Sequence, residues 1–246
     1  SVSPTLRATI GANSNIQATN LTVTSQTESS ADTQTAGVST GTLAVAVSTA
    51  GATVSPTLET SVGSNALINA TGDITLQSLH NRNANGTYIF KGANALATAP
   101  AGGLIGLTGA FASATSSANL DSFVSSGATL NADDISVLAK SYNKATAASA
   151  GLSVGLLSLG AAVVVTNTDG VTKAHYDGNI GNATNLTVNA IADDYAQADT
   201  TALAGGLVAA NVNSANANVG STVTTYIGNN ANLHVTNDIQ VKAESN

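Results

Sequence analysis

Cysteine, methionine and tryptophan are absent from the 246 residues, and aromatic side chains make up only 3% of them. Without cysteine there is no disulfide framework and no thiolate metal site. Without large rings, a core must be assembled from Ala, Val, Leu and Ile in thin, regular layers. Charge is scarce as well. Asp, Glu, Lys and Arg together reach 9%, far below the usual quarter, which leaves Asn, Thr and Ser to face solvent. The net charge of −7 is scattered, and the seven Lys and Arg form no basic stripe, so nucleic-acid recognition is not expected. The longest apolar run, Ala150–Val165, covers 16 residues and includes two serines. That is short for a membrane-crossing helix and rich in the Gly and β-branched residues of strands, so no membrane insertion is expected. Disorder is disfavoured because apolar residues reach 43%.

What is present is repetition. A hydrophobic residue followed by Gly recurs at Ile10-Gly11, Val62-Gly63, Ile180-Gly181 and Ile227-Gly228, with Gly127 in a looser copy. A second phrase follows each time: "NLTVTS" at Asn20, "DITLQS" at Asp73, "DISVLA" at Asp134, "NLTVNA" at Asn185 and "DIQVKA" at Asp238. These anchors are 53, 61, 51 and 53 residues apart, a mean step near 54. A third phrase is small and apolar: Ala36-Gly37, Gly102-Gly103, Ala150-Gly151 and Gly205-Gly206. The ordered matches divide the chain into units of about 4–54, 55–119, 120–170, 171–220 and a partial 221–246. The start, "SVSPTLRATI", carries no basic-then-apolar leader, and the array stops mid-unit. The expectation is a single elongated segment, 1–246, of a longer polypeptide.

Within each unit the hydrophobic period is two, as in Ile135 and Val137 of "DISVLA" or Leu186 and Val188 of "NLTVNA". In "VAANVNSANANV" the alternation slips at Ser214, which predicts a corner or bulge there. A propeller matches the period but demands hairpins and larger side chains between blades. A sandwich needs no repeat. The predicted fold is therefore all-β, a parallel β-solenoid (β-helix) of ~54-residue repeats with about two coils of ~27 residues per repeat. Nine coils of short strands would make a rod roughly 40–45 Å long. Asn residues at the corners are expected to stack as amide ladders.

The segment Val171–Asn246, "VTKAHYDGNIGNATNLTVNAIADD" through "IQVKAES", together with "AGGLVAANVN", resembles large bacterial exoproteins of the filamentous-haemagglutinin-like, leukotoxin-like and autotransporter adhesin type. Weaker echoes run from residue 4 onward. The resemblance implies secretion to the bacterial surface, a right-handed β-helical shaft, and adhesion, aggregation or toxin delivery. The partners it implies are neighbouring copies or flanking segments met through the coil ends, and surface glycans or proteins of host or bacterium.

No residue set reads as a reaction centre, and no cofactor is implied. "KAHYDGN", with Lys173, His175, Tyr176 and Asp177, is dense in capable side chains, but it is a run on a repeat phrase whose equivalent, "TTYIG", has no His. The acid pairs Asp133-Asp134 and Asp193-Asp194 are candidate calcium ligands between coils or, more plainly, corner acceptors for backbone N–H groups. They are also the minimum equipment of a carbohydrate-active β-helix enzyme, the first alternative function; a membrane-inserting toxin segment using the Ala/Gly runs is the second. A flat Thr row of the ice-binding kind is broken, since Thr22, Thr75 and Thr187 share their position with Ser136 and Gln240. The longest unit carries "NRNANGTYIFKG", whose Arg82, Tyr88, Phe90 and Lys91 are binding candidates on a projecting loop or, more plainly, part of an elongated corner with Tyr88, Ile89 and Phe90 packed on the shaft. The expected function is a non-enzymatic, extracellular shaft.

Overall fold

The computed structural model describes residues Ser1 to Asn246. The chain is all-β, with twenty strands, no helix and parallel pairing in every ladder; its one antiparallel contact is an isolated bridge between Arg82 and Tyr88. A first sheet stacks Thr5–Ile10, Thr57–Val62, Asn119–Val124, Val171–Tyr176 and Thr222–Ile227. A second stacks Asn15–Ala18, Leu67–Ala70, Thr129–Asn131, Asn179–Ala183 and Leu233–Val235. A third begins with Leu21–Thr27, Ile74–His80, Asp134–Val154, Asn185–Gly205 and Ile239–Ser245. The order of the five strands is the same on all three, so the stacked-strand solenoid holds.

Its coils are larger than the sequence pattern predicts. Thr5 pairs with Thr57, Thr57 with Asn119, Asn119 with Val171 and Val171 with Thr222, steps of 52, 62, 52 and 51 residues. One unit therefore makes one coil, and the expected pair of ~27-residue coils does not form. Five rungs at ~4.8 Å rise roughly 19 Å from first strand to last, in place of nine coils and 40–45 Å. The reason lies in the Ala/Gly half of each unit. It does not close a turn of its own but runs out from the third sheet and straight back, adding a two-layered fin to one edge of a prism.

The two parts have different interiors. Between the three sheets, columns such as Ile16, Ile68, Leu130, Ile180 and Leu233 fill the prism with branched side chains. The fin joins Ala31–Ala36 to Ser39–Val54 in the first rung and runs as Ala93–Ser116 in the second. Its return arms continue as Leu157–Thr168 and Val208–Val219. Its buried apolar cluster is fifteen Ala with Val54 and Val164. The layers lie so close that Thr33 Oγ1 donates to the facing Gly51 carbonyl at 3.0 Å, and the Thr35 and Ser48 hydroxyls meet at 2.7 Å. Side chains this short leave no room for the two-coil packing of a wider interior.

Local chemistry fixes the corners. Asn13, Asn65, Gly127 and Asn230 have φ of 58°, 57°, 80° and 69°, the left-handed region that Asn and Gly tolerate best. Gly127 thus answers to Asn65, and the partner of Ile10, Val62, Val124 and Ile227 in the fourth rung is Tyr176. Ile180, expected at that place, pairs with Leu130 in the second sheet. The small-residue phrases are likewise two interleaved columns: Gly151 pairs with Ala99, and Gly102 with Val154. No corner occurs at Ser214, because Val208–Val219 pairs without a break along Leu157–Thr168. Asn211 simply turns its amide inward against Gly160.

At the fin tip, Gly41, Gly103, Gly155 and Gly206 stack backbone on backbone. A Cβ on Gly103 would overlap the Gly41 carbonyl oxygen, and one on Gly155 would lie 2.5 Å from the Gly103 carbonyl. A Cβ on the adjacent Gly102 meets nothing within 4 Å. Gly103→Ala is expected to lower the unfolding free energy by roughly 2–4 kcal/mol and Gly102→Ala to change it by less than about 0.5 kcal/mol. Chemical denaturation of the two variants measures this, and equal midpoints would contradict the stacked tip.

Candidate functional site

Three places gather polar or aromatic side chains. The first is the corner before the third sheet, where Asn20, Asp73, Asp134, Asn185 and Asp238 occupy one column. Asn20 Oδ1 accepts from the Asp73 amide at 2.9 Å, and Asn185 Nδ2 donates to Asp134 Oδ1 at 2.8 Å. Asn237 Nδ2 donates to Asn185 Oδ1 at 2.8 Å, and Thr184 Oγ1 to Asp133 Oδ1 at 3.1 Å. The corner side chains thus form rung-to-rung ladders, with Asp133 and Asp134 accepting from side chains of the next rung. Asp193 and Asp194 lie eight residues past Asn185 on its strand, about 26 Å along it. Asp194 accepts from Asn143 Nδ2 at 2.9 Å, and burial pushes its carboxyl above the usual range. The four candidate calcium ligands are not brought together, and no group of three His, Asp or Glu side chains is arranged to hold a metal ion.

The second place is a column of rings on the outer face of the first sheet. The His175 imidazole is stacked between Phe123 at 4.9 Å and Tyr226 at 4.8 Å. Its Nδ1 lies 2.5 Å from Asp177 and its Nε2 3.4 Å from Asp121. Lys173 reaches Asp121 at 3.7 Å and the Tyr226 ring at 5.4 Å. Both ring nitrogens face carboxylates and both ring faces are covered, so the imidazole is engaged on every side. Tyr176 points into the prism, donates to the Asn179 carbonyl at 3.0 Å, and has its phenol pushed above the usual range by burial. The run "KAHYDGN" is therefore spread over both faces of one strand.

The third place is the insert that lengthens the second rung. Asn81 turns the chain with φ 49°. Its Oδ1 accepts the Ser29 amide at 2.9 Å and its Nδ2 donates to the Ser29 carbonyl at 3.2 Å, in place of a strand rung. Arg82, buried, forms an ion pair with the equally buried Asp193 two rungs away. It also donates to the Gly86 carbonyl at 2.8 Å and lies 4.4 Å over the Tyr88 ring. Tyr88 donates to Asp193 Oδ1 at 3.1 Å. Its ring and that of Phe90 pack edge-on against Tyr142 at 5.2 and 5.8 Å. Beneath them, burial and then Arg82 hold the Lys140 ammonium below its usual range. The four residues singled out from sequence thus separate. Arg82 and Tyr88 fasten the loop, Lys91 makes a surface ion pair with Glu28 at 2.7 Å, and Phe90 stays 73% exposed. The receptors, Tyr142 and Asp193, lie too far along the chain for spacing to reveal them.

His80, at the strand end that launches the insert, is enclosed, and burial pushes its imidazole down to about 4. It is neutral in the folded chain while the unfolded chain takes up a proton near 6.5. Its contribution, up to about 3 kcal/mol, is complete above pH 6.5 and is lost as pH falls through 4. Urea melts of His80→Leu should show a flatter stability profile between those limits; an unchanged slope contradicts the assignment. Arg82→Ala leaves Asp193 buried without its partner and should cost about 3 kcal/mol, whereas Lys91→Ala, at an exposed pair, should cost less than about 0.5 kcal/mol. The same denaturation midpoints decide both.

Comparison with protein families, curated proteins and solved structures finds no match for this chain.

Proposed function

We propose that the chain is a non-enzymatic, extracellular structural segment, the right-handed shaft of a large bacterial surface adhesin or matrix fibre. The observation that carries this reading is the stacking of all five rungs, in register except for one-residue shifts in the second sheet after Leu130 and Ile180, with polar corner side chains bonded from rung to rung. Such an array transmits load along its axis through backbone ladders and can hold a distal contact away from a surface. The strand edges at its two ends match one another, so flanking segments of the same polypeptide or another copy extend the stack. Phe90, packed by one edge on Tyr142 and otherwise exposed, is the place where a surface glycan or protein would touch. A carbohydrate-active enzyme on this fold is the rival, and the separation of its two candidate acid pairs weighs against it.

The test is twofold. Cells displaying the chain should adhere to immobilised glycans or matrix protein, and Phe90→Ala should reduce adhesion several-fold while leaving the melting temperature unchanged. A screen on acidic and neutral polysaccharides should show no turnover. Cleavage that disappears when Asp133, Asp134, Asp193 and Asp194 are changed to Asn would replace the shaft with the enzyme.

A further inference from the structure

Apart from Asp32 and Asp199 at its root, the fin carries no charge in any rung. Asp, Glu, Lys and Arg are absent between Asp32 and Glu59, between Lys91 and Asp121, between Lys144 and Asp169, and between Asp199 and Asp238. Its two outer faces differ near the prism, although toward the tip the outgoing face also exposes Leu152, Val154 and Leu203. Near the prism, the outgoing face is polar, with Asp32, Asn94, Thr146 and Gln197 in one column and Asn94 donating to Asp32 at 2.6 Å. The return face presents Val45, Val47, Leu107, Phe111, Leu159 and Val212 across four rungs, with Val47 70% and Val212 58% exposed. A flat apolar face of this extent on a soluble chain marks a contact surface.

We infer that this return face pairs with the same face of a second copy of the chain, joining two shafts side by side. Three features of the molecule select that occupant. Two copies bearing a net charge of −7 each repel wherever charges meet, and the return face is a large surface where none do. A second copy presents the same rung spacing of ~4.8 Å and the same alternate-residue spacing of ~6.8 Å, so side chains of one face fall between those of the other over every rung, as in paired sheets. The area is also adequate. Nine residues of return arm over four rungs cover about 600 Å² per copy, or ~1,200 Å² for the pair, the lower bound of specific interfaces. Each further rung would add roughly 150 Å² per copy, so the contact strengthens with shaft length. Lipid fits less well, because the outermost fin strands have open edges whose N–H and C=O groups would go unpaired in hydrocarbon.

Sedimentation analysis of the whole chain over a concentration series tests the pairing. The wild type should form a dimer below roughly 100 µM, the strength of a contact of this size. Val47→Lys with Leu159→Lys, and separately Val47→Glu with Leu159→Glu, should each remain monomeric with unchanged circular dichroism and melting. An equimolar mixture of the two variants should recover the dimer. A monomeric wild type overturns the inference, as does association that persists in either charged variant, since that would run through the coil ends. Flotation of the wild type with phosphatidylcholine vesicles, abolished by the charged pairs, would assign the face to lipid and overturn it too. The shaft reading stands or falls separately, on adhesion and polysaccharide turnover.

Discussion

Each side chain of this solenoid has its counterpart from the neighbouring unit about 4.8 Å above or below it, because the strands stack parallel and in register. A residue must therefore be compatible with its own kind, and that constraint reaches every part of the molecule. In the prism it selects branched aliphatics, which pack on themselves. At the corners it selects Asn and Gly for left-handed backbone and Asn, Asp and Thr for bonds along the axis. In the fin it selects Ala, since both layers must share a gap that a threonine hydroxyl can cross.

The prism and the fin solve burial in opposite ways. The prism encloses large side chains among three sheets, and individual substitutions there meet several neighbours. The interior of the fin holds little side-chain volume, being nearly all Ala, and it derives its order from backbone ladders and close approach, so the atoms that matter at its tip are carbonyl oxygens. The insert joins the regimes. It absorbs nine extra residues, since the partner of Thr27 is His80 but that of Ala31 is Ala93, without disturbing register on either side, because Asn81 imitates a strand rung and the Arg82–Asp193 pair fastens the loop across two rungs.

Much of the stacking was legible in the sequence. The anchors Asn20, Asp73, Asp134, Asn185 and Asp238 fall in one column, and "KAHY" lies against "TTYI" as the repeat phrase implied. The size of the coil was not legible. Period-two alternation records which face a residue takes but not whether the chain closes a turn or doubles back, and a run of Ala, Gly and Ser reads alike in either arm. Ile180-Gly181 imitated the repeat phrase while the true partner had become Tyr176-Asp177, so a local match outranked the register. Of the candidate side chains, Phe90 remains the most exposed, and the roles of Arg82, Tyr88 and Phe90 alike depend on Tyr142 and Asp193, contacts set by stacking and not by spacing.

The corner column also explains how little ionisable surface the chain can bear. Identical charges placed in every rung would repel by nearly 1 kcal/mol per neighbouring pair even in water, so neutral amides interrupt the carboxylates at the corner and the return arms of the fin do without charge altogether. Cohesion then rests on dipoles at contact distance, which mobile ions scarcely screen. A solenoid assembled on these terms is expected to hold its rungs together with little dependence on ionic strength.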